Sequence, residues 1–235
     1  TISEEWGNAT HYMLGDMFSG TMNYRFAWAL EGFFAVDKLS ASAFEDRLAT
    51  LRHDTPAPAL KAQMNLIGSH DTRRALSACG GDLNRFKQMV VFQMSYPGAP
   101  TICYGDEAGL RGENDIAGRR AFPWGKEDAE LMGFYRSLLA ARRAHPALQQ
   151  GSYQTLLVDD AKRLHAFVRR APRSVVYALF NAGDAPAGVA VRLDDADSER
   201  WEDALGMGEE VTAQGGILSV MLPARSFAWY VPAED

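Results

Sequence analysis

Apolar runs that stop abruptly at polar residues recur in the first part of the chain. Residues 64–71 read MNLIGSHD, and residues 99–105 read APTICYG with Asp-Glu directly after them. A buried parallel strand has this pattern, because it is apolar along its length and delivers polar side chains at its C-terminal end. Residues 19–26, SGTMNYRF, predict a third short strand.

Helical spacing of apolar residues appears between and after these strands. Residues 82–95 predict a helix that begins after Asp82 as N-cap and ends before Pro97, with a stripe formed by Phe86, Met89, Val90 and Gln93. Residues 127–144 predict a second helix that stops before Pro146, with a stripe formed by Leu131, Phe134, Tyr135, Leu138 and Leu139. Strands that alternate with helices indicate beta-alpha units.

The pattern changes at Gly151, where short alternating segments follow one another between Asp-Asp, Ala-Pro and Gly-Asp turns. Residues 217–231 look like the last strands of this region. Such segments are typical of antiparallel sheets. We therefore predict two domains, an alpha/beta part over residues 1–148 and a small antiparallel beta-sandwich over residues 149–235.

Composition narrows the class of partner. The chain has 235 residues, a formal net charge of -6 and a hydrophobic fraction of 47%, which predicts a soluble globular protein with a sizeable core. A mildly acidic chain gives no reason to expect nucleic acid or an anionic membrane as partner, and no apolar run reaches the roughly 20 residues of a membrane span. Two cysteines are too few for a disulfide framework, and Cys103 is expected to be a buried free thiol. We expect a cytoplasmic protein.

The first candidate for chemistry is the segment GSHDT, residues 68–72, at the polar end of a predicted strand. The imidazole of His70 can hydrogen-bond sugar hydroxyls, and the carboxylate of Asp71 can oppose developing positive charge. Two alternatives stay open at this point: Asp71 can cap a helix that begins at Thr72, and His70 can be a satisfied core histidine.

The second candidate is the segment ISEEWGNA, residues 2–9. A carboxylic acid beside Trp6 can have a raised pKa and so carry a proton for a leaving oxygen; a solvated Glu pair is the alternative. Carboxyls at the ends of two strands in a beta-alpha series can converge at the C-terminal face of a barrel. Convergence is what acid-base chemistry requires.

These segments resemble motifs of the alpha-amylase family of glycoside hydrolases. NLIGSHDTRR is similar to the strand-seven motif, in the Gly-Ser-His-Asp-Thr form of the neopullulanase and cyclomaltodextrinase branch. SEEWGNATHYMLGDMFSGTMNYRF resembles strands five and six, although Ser3 stands where the family has Gly and Glu5 where it has an apolar residue. APTICYGDEAGLRGENDIAGRRAFPW resembles strand eight and its loop.

The resemblance implies roles for six residues. Glu4 corresponds to the general acid/base, and Asp71 to the carboxylate that stabilises the transition state. His70 corresponds to the histidine that binds the sugar before the scissile bond, and Asp115 and Arg119 to a sugar-binding pair in the loop. Trp6 corresponds to an aromatic residue on the aglycone side, with core packing as its alternative. No metal ligand or cofactor is implied; calcium is compatible with the family but not indicated by this chain.

The fold that the resemblance implies is the C-terminal half of a TIM (β/α)8 barrel, strands five to eight, followed by the beta-sandwich. Retaining glycosidases need a second carboxyl as nucleophile, and the family carries it on strand four. We therefore expect the chain to be a fragment that pairs with a complementary N-terminal half and is inactive alone. A homodimer is a further expectation from this branch.

The resemblance implies hydrolysis of alpha-1,4-glucosidic bonds in cyclodextrins, pullulan or maltooligosaccharides, with an alpha-glucan as substrate. Two alternatives remain. A degenerate barrel can serve as a non-catalytic sugar-binding or regulatory protein, and a relative with the same residues can transfer the sugar to another sugar instead of to water.

Overall fold

The computed structural model describes residues 1–194 and 198–233. Contacts divide the chain into two compact units, Thr1–Arg136 and a second unit from Ser137 onward. This division lies inside a helix, upstream of the predicted boundary at 148/149, which stays a prediction. In the described ranges, no helix has both the length and the apolar character needed to cross a membrane.

Four short parallel strands organise the first unit, and their neighbours follow chain order. β1 pairs with β2, β3 pairs with β4, and a parallel bridge from Met22 to Met64 joins the two pairs. The strands are β1 (Ile2–Ser3), β2 (Gly20–Thr21), β3 (Met64–Asn65) and β4 (Ala99–Pro100). The prediction of a strand over 19–26 is wrong in its second half, because the Asn23 side chain accepts the backbone N–H of Phe26 and starts a helix at Tyr24.

Eight α-helices are described along the chain, and the last of them, α8, packs on strands of the second unit. They are α1 (Tyr24–Leu30), which continues as a π-helical turn over Glu31–Ala35, α2 (Ala41–Asp54), α3 (Ala57–Leu60), α4 (Ala75–Ala78), α5 (Leu83–Ser95), α6 (Asp115–Gly118), α7 (Ala129–Ala144) and α8 (Pro146–Gln150). The predicted helix at 82–95 is confirmed as α5. Asp82 accepts the backbone N–H groups of Asn84 and Arg85, and the four stripe residues are buried.

The predicted helix at 127–144 is confirmed as α7, which begins at Ala129. Leu131, Tyr135 and Leu138 are buried, and the other two stripe residues are partly exposed. Pro146 ends this helix and at the same time opens α8, where a missing backbone N–H has no cost.

Buried amides hold the ends of three strands of the first unit together. The Asn23 side chain donates to Asn65 Oδ1 (2.9 Å), and Asn65 Nδ2 donates to the carbonyl of Pro97 (2.8 Å). Gln93 Nε2 donates to the carbonyls of Asn65 and Thr101 (2.7 and 2.9 Å). These bonds satisfy polar groups that burial would otherwise leave unpaired, so they fix where each strand delivers its following loop.

Antiparallel strands build the second unit. They are β5 (Ser152–Asp159), β6 (Leu164–Ala171), β7 (Ser174–Asn181), β8 (Ala187–Arg192), β9 (Arg200–Asp203), β10 (Val211–Thr212), β11 (Ile217–Leu222) and β12 (Ser226–Pro232). Six of them form one sheet in the order β10-β9-β12-β7-β6-β5, and β8 pairs with β11. Residues of both sheets, including Leu179, Val189, Trp201 and Leu218, share one hydrophobic core. The predicted antiparallel architecture of this region is confirmed.

Both cysteines are free thiols. Cys79 is buried, but the expectation of a buried Cys103 is wrong, because its side chain is only partly covered. The guanidinium of Arg74 lies beside it, with Nη1 3.2 Å from Sγ.

Candidate active site

The ends of β1 and β3 bring the two predicted catalytic carboxyls together. Glu4 directly follows β1, and Asp71 lies in the turn after β3 and the buried pair Leu66 and Ile67. His70 Nε2 is 3.9 Å from Glu4 Oε1 and 3.4 Å from Asp71 Oδ1. One oxygen of each carboxyl and one imidazole nitrogen all lie within 4.8 Å of one another. The three side chains are accessible, with exposed fractions of 45%, 53% and 34% for Glu4, His70 and Asp71.

Arg119 and Asp115 form a charged side of this site. Arg119 Nη2 donates to Asp71 Oδ1 (2.8 Å) and to Asp115 Oδ2 (3.3 Å), and its Nε donates to the carbonyl of His70 (2.8 Å). The Asn114 side chain caps α6 and so fixes the turn that carries both residues. One guanidinium therefore restrains the carboxylate and the backbone of the His70-Asp71 turn.

A buried arginine supports the loop that carries the charged side. Arg74 Nε donates to the carbonyl of Gly118 (2.8 Å), and Nη1 donates to the carbonyl of Tyr104 (2.6 Å) and lies 3.3 Å from Asp106 Oδ1. Burial raises the pKa of Asp106 to about 7, although the adjacent Arg74 acts in the opposite direction. Arg74 thus ties the turn after β3 to the loop after β4.

Tyr24 and Trp6 form a second side of the site, which is aromatic rather than charged. The Tyr24 hydroxyl donates to Glu4 Oε1 (3.3 Å) and lies 3.0 Å from Ser69 Oγ, which accepts the backbone N–H of Asp71 (3.1 Å). Burial raises the pKa of Tyr24, so its hydroxyl keeps the proton that it donates. The Trp6 ring stacks on the Tyr24 ring with a centroid separation of 4.5 Å and an angle of 16°.

Residues 1–124 match the family described as alpha amylase, catalytic domain. This chain belongs to the alpha-amylase family. The match includes every residue of the site, from Glu4 to Arg119.

Named relatives place the chain in one branch of the alpha-amylase family. It is 35% identical to a cyclomaltodextrinase of Geobacillus thermopakistaniensis (strain MAS1), over 97% of this chain and 39% of the relative. It is 34% identical to neopullulanase 2 of Thermoactinomyces vulgaris, over 94% of this chain and 38% of the relative. A solved cyclomaltodextrinase structure superposes with a TM-score of 0.88 at 31% identity, over 99% of this chain and 40% of that one. The chain therefore spans about two fifths of the length of these relatives.

Two of the alternatives left open by the sequence are wrong. Asp71 does not cap a helix at Thr72, because the next helix begins at Ala75. His70 is not a core histidine, since its side chain is half exposed. The geometry also separates the two adjacent glutamates: Glu4 lies with His70, whereas a Glu5 carboxylate oxygen accepts the backbone N–H of Gly7 (2.8 Å).

Trp6 is 41% exposed, so core packing does not describe it. Its contact with Tyr24 leaves part of the ring available to a pyranose face. The roles in this alpha-amylase-family site stay predictions for all six residues. Five of them contact one another in series, namely Asp115, Arg119, Asp71, His70 and Glu4, and Tyr24 joins Trp6 to that series.

Sequence reasoning missed Arg74 and Tyr24 as parts of the site. Each stands inside a segment that carried the resemblance, Arg74 in NLIGSHDTRR and Tyr24 directly after Met-Asn. Nothing in a linear pattern indicates that Arg74 reaches Gly118 or that Tyr24 reaches Glu4.

Among the residues that the structure describes, one group of His, Cys, Asp and Glu side chains lies close enough together to hold a metal ion. It consists of Glu4, His70 and Asp71. Calcium takes about six to eight oxygen ligands, whereas this group offers two carboxylates and one imidazole. Arg119 already occupies Asp71 Oδ1 with a positive charge. The donor set therefore does not fit calcium.

Proposed function

We propose that this chain is the C-terminal half of a (β/α)8 barrel with its beta-sandwich, and that it belongs to a retaining glycoside hydrolase. The substrate is an alpha-glucan with alpha-1,4 bonds, such as a cyclodextrin, pullulan or a maltooligosaccharide. The observation that carries the proposal is the approach of Glu4, His70 and Asp71 to within 4.8 Å at the ends of parallel strands. The names of the relatives support the substrate class.

In the first half of the reaction, Glu4 protonates the glycosidic oxygen as its bond to the anomeric carbon breaks, a second carboxylate bonds to that carbon, and the rest of the glucan leaves with the proton. Tyr24 donates to the Glu4 oxygen, which restrains this carboxyl in the orientation from which it delivers its proton. Positive charge develops on the sugar ring in the transition state. Asp71 opposes that charge, and His70 hydrogen-bonds the same sugar, so both bind the transition state more tightly than the ground state.

In the second half, Glu4 acts as a base and deprotonates the water that attacks the glycosyl-enzyme intermediate. The nucleophile of that intermediate is a second carboxyl. We assign it to the remainder of the enzyme, in keeping with the greater length of the relatives. The N-terminal half would also complete the sheet that begins with β1. The isolated chain is accordingly expected to bind glucans weakly and to cleave none.

The charged side suits the sugar on the non-leaving side of the scissile bond. Arg119 and Asp115 present donors and acceptors held by ion pairs, which suits the hydroxyls of one sugar in a fixed orientation. The contact of Arg119 with Asp71 links recognition of that sugar to the carboxylate that stabilises the transition state.

The test is an assay of the full-length enzyme on beta-cyclodextrin, pullulan and maltotriose, with the anomer of the first product followed by NMR. We expect hydrolysis with an alpha-anomeric product, and no turnover by the isolated chain. Binding of maltotriose without any cleavage would support a sugar-binding protein instead. A beta-anomeric product would exclude the retaining mechanism, and predominant sugar transfer would reassign the enzyme to a transglycosylase.

A further inference from the structure

The aromatic side of the site does not end at Trp6. Trp28, on the exposed face of α1, has its ring centroid 5.9 Å from that of Trp6 and 6.2 Å from that of Tyr24. Trp6 and Trp28 are 41% and 40% exposed. A soluble protein that leaves two neighbouring indoles this accessible presents a continuous aromatic surface, which is typical of a recognition site.

A groove of about 290 Å³ lies beside Trp28. Its lining comes from two helices: Arg25 and Trp28 lie one turn apart on α1, and Asp46, Arg47 and Thr50 lie within about one turn on α2. The groove thus combines an aromatic ring with a carboxylate, two guanidinium groups and a hydroxyl. Pockets that orient small ligands have this combination of an apolar face and a few polar groups.

The charges of the groove favour a neutral ligand. Arg25 forms an ion pair with Asp54 at 2.8 Å, so its charge is already compensated. Of the remaining groups, Asp46 and Arg47 carry opposite charges, and Thr50 Oγ1 donates to the carbonyl of Asp46 (2.7 Å). A polyhydroxylated neutral molecule can use donors and acceptors of both kinds, whereas an anion or a cation would meet a like charge.

The contacts of the whole site run in one series. Asp115 contacts Arg119, which contacts Asp71; His70 and then Glu4 follow. From Glu4 the series continues through Tyr24 to Trp6 and Trp28. A chain that lies across the carboxyls and over Trp6 would next meet Trp28.

We propose that Trp28 and its groove form an outer glucan-binding site, which holds sugar units of the leaving-group portion of a long chain beyond Trp6. The inference rests on the proposed function and adds a preference for substrates that reach past Trp6. Short substrates end before Trp28, so they gain nothing from it.

The test compares maltoheptaose with maltotriose in the full-length enzyme and in its Trp28→Ala, Trp28→Phe and Asp46→Ala variants. We expect Trp28→Ala to lower the ratio of kcat/KM for maltoheptaose to kcat/KM for maltotriose about tenfold, the size of a lost stacking contact. Trp28→Phe keeps a ring and should recover most of the ratio, and Asp46→Ala should lower it about threefold. Met221→Ala removes an exposed apolar side chain of β11 and serves as the control.

An unchanged ratio in Trp28→Ala would overturn the outer site. An equal loss on both substrates would overturn it as well, because Trp28 would then act by supporting Trp6 and Tyr24; the melting temperature separates this case from general destabilisation. Failure of the unaltered enzyme to cleave either substrate would defeat the proposed function instead. Calorimetry with maltoheptaose still decides the outer site in that event, since Trp28→Ala should weaken binding about tenfold.

Discussion

The charged side and the aromatic side each hold one of the two carboxyls, and they do so by different interactions: Arg119 holds Asp71, whereas Tyr24 contacts Glu4. On the charged side, Arg119 makes three directional hydrogen bonds, and the loop that carries it is fixed by buried Arg74. On the aromatic side, Trp6 and Trp28 offer ring faces, and the Tyr24 hydroxyl donates to Glu4 and lies beside Ser69 Oγ. Directional bonds specify one sugar in one orientation, whereas stacking tolerates rotation and sliding. We therefore expect the site to accept the sugar beside Asp71 in one orientation and to tolerate several positions of the leaving chain.

The largest effect on the charged side should come from Asp71→Asn. This change keeps the shape of the side chain but removes the charge that opposes the developing cation. We expect kcat/KM on beta-cyclodextrin in the full-length enzyme to fall about 10³-fold, with little change in KM. Asp16→Asn, at an exposed loop carboxyl, is the matched control. A loss below tenfold would remove Asp71 from the chemistry.

Arg119→Ala should have the next largest effect. It removes the charge-assisted bonds to Asp71 and Asp115, and bonds of this kind contribute about 2 kcal/mol, or roughly 30-fold in kcat/KM. Arg119→Lys keeps the charge but not the planar fork, so its activity should lie between. Arg136→Ala, an exposed arginine on α7, should leave steady-state kinetics unaltered. If lysine restores full activity, the geometric account of the charged side is wrong.

The last of these predictions concerns the stability of the folded protein rather than its activity, at a buried carboxyl beneath the charged side. Burial raises the pKa of Asp106 to about 7 from an ordinary value near 3.8, so between these values the folded protein binds more protons than the unfolded chain. The free energy of unfolding should then fall as pH rises through this window, by up to about 1.4 kcal/mol per pH unit. The stabilisation that comes from the raised pKa of Asp106 is complete below pH 3.8 and lost above about pH 7.

Asp106→Asn removes that titration and should flatten this part of the curve. Urea unfolding of the full-length enzyme between pH 5 and 8 measures it, and Asp16→Asn is again the control. A curve of unaltered slope in Asp106→Asn would show that Arg74 keeps the carboxyl ionised throughout.

Much of the candidate site, and the strands that position it, could be predicted from the sequence. The apolar-then-polar segments at 64–71 and 99–105 indicated where strands deliver polar side chains, and the motifs pointed to Glu4, His70 and Asp71 before their distances were known. Local signals succeeded because both the strand pattern and the N-cap at Asp82 depend on residues close in sequence.

Contacts between distant segments could not be predicted in this way. Tyr24 reaches Glu4, Arg74 reaches Gly118, and Trp28 reaches Trp6, each across a turn or loop whose path the pattern does not define. The helix start at Tyr24 was missed because the Asn23 cap overrides the strand-like composition of 19–26. Strands β9 and β10 have four and two residues, which is too short for an alternating pattern to define them.

The central claim is that Glu4 supplies the proton to the leaving oxygen, and one kinetic comparison tests it most directly. In the full-length enzyme, Glu4→Gln and Glu5→Gln are assayed on maltotriose, whose leaving group needs a proton, and on alpha-maltosyl fluoride, whose leaving group does not. The account predicts that Glu4→Gln loses about 10³-fold in kcat/KM on maltotriose but stays within about tenfold on the fluoride, while Glu5→Gln retains both activities. Equal losses of Glu4→Gln on the two substrates, or the selective loss appearing in Glu5→Gln, would contradict it.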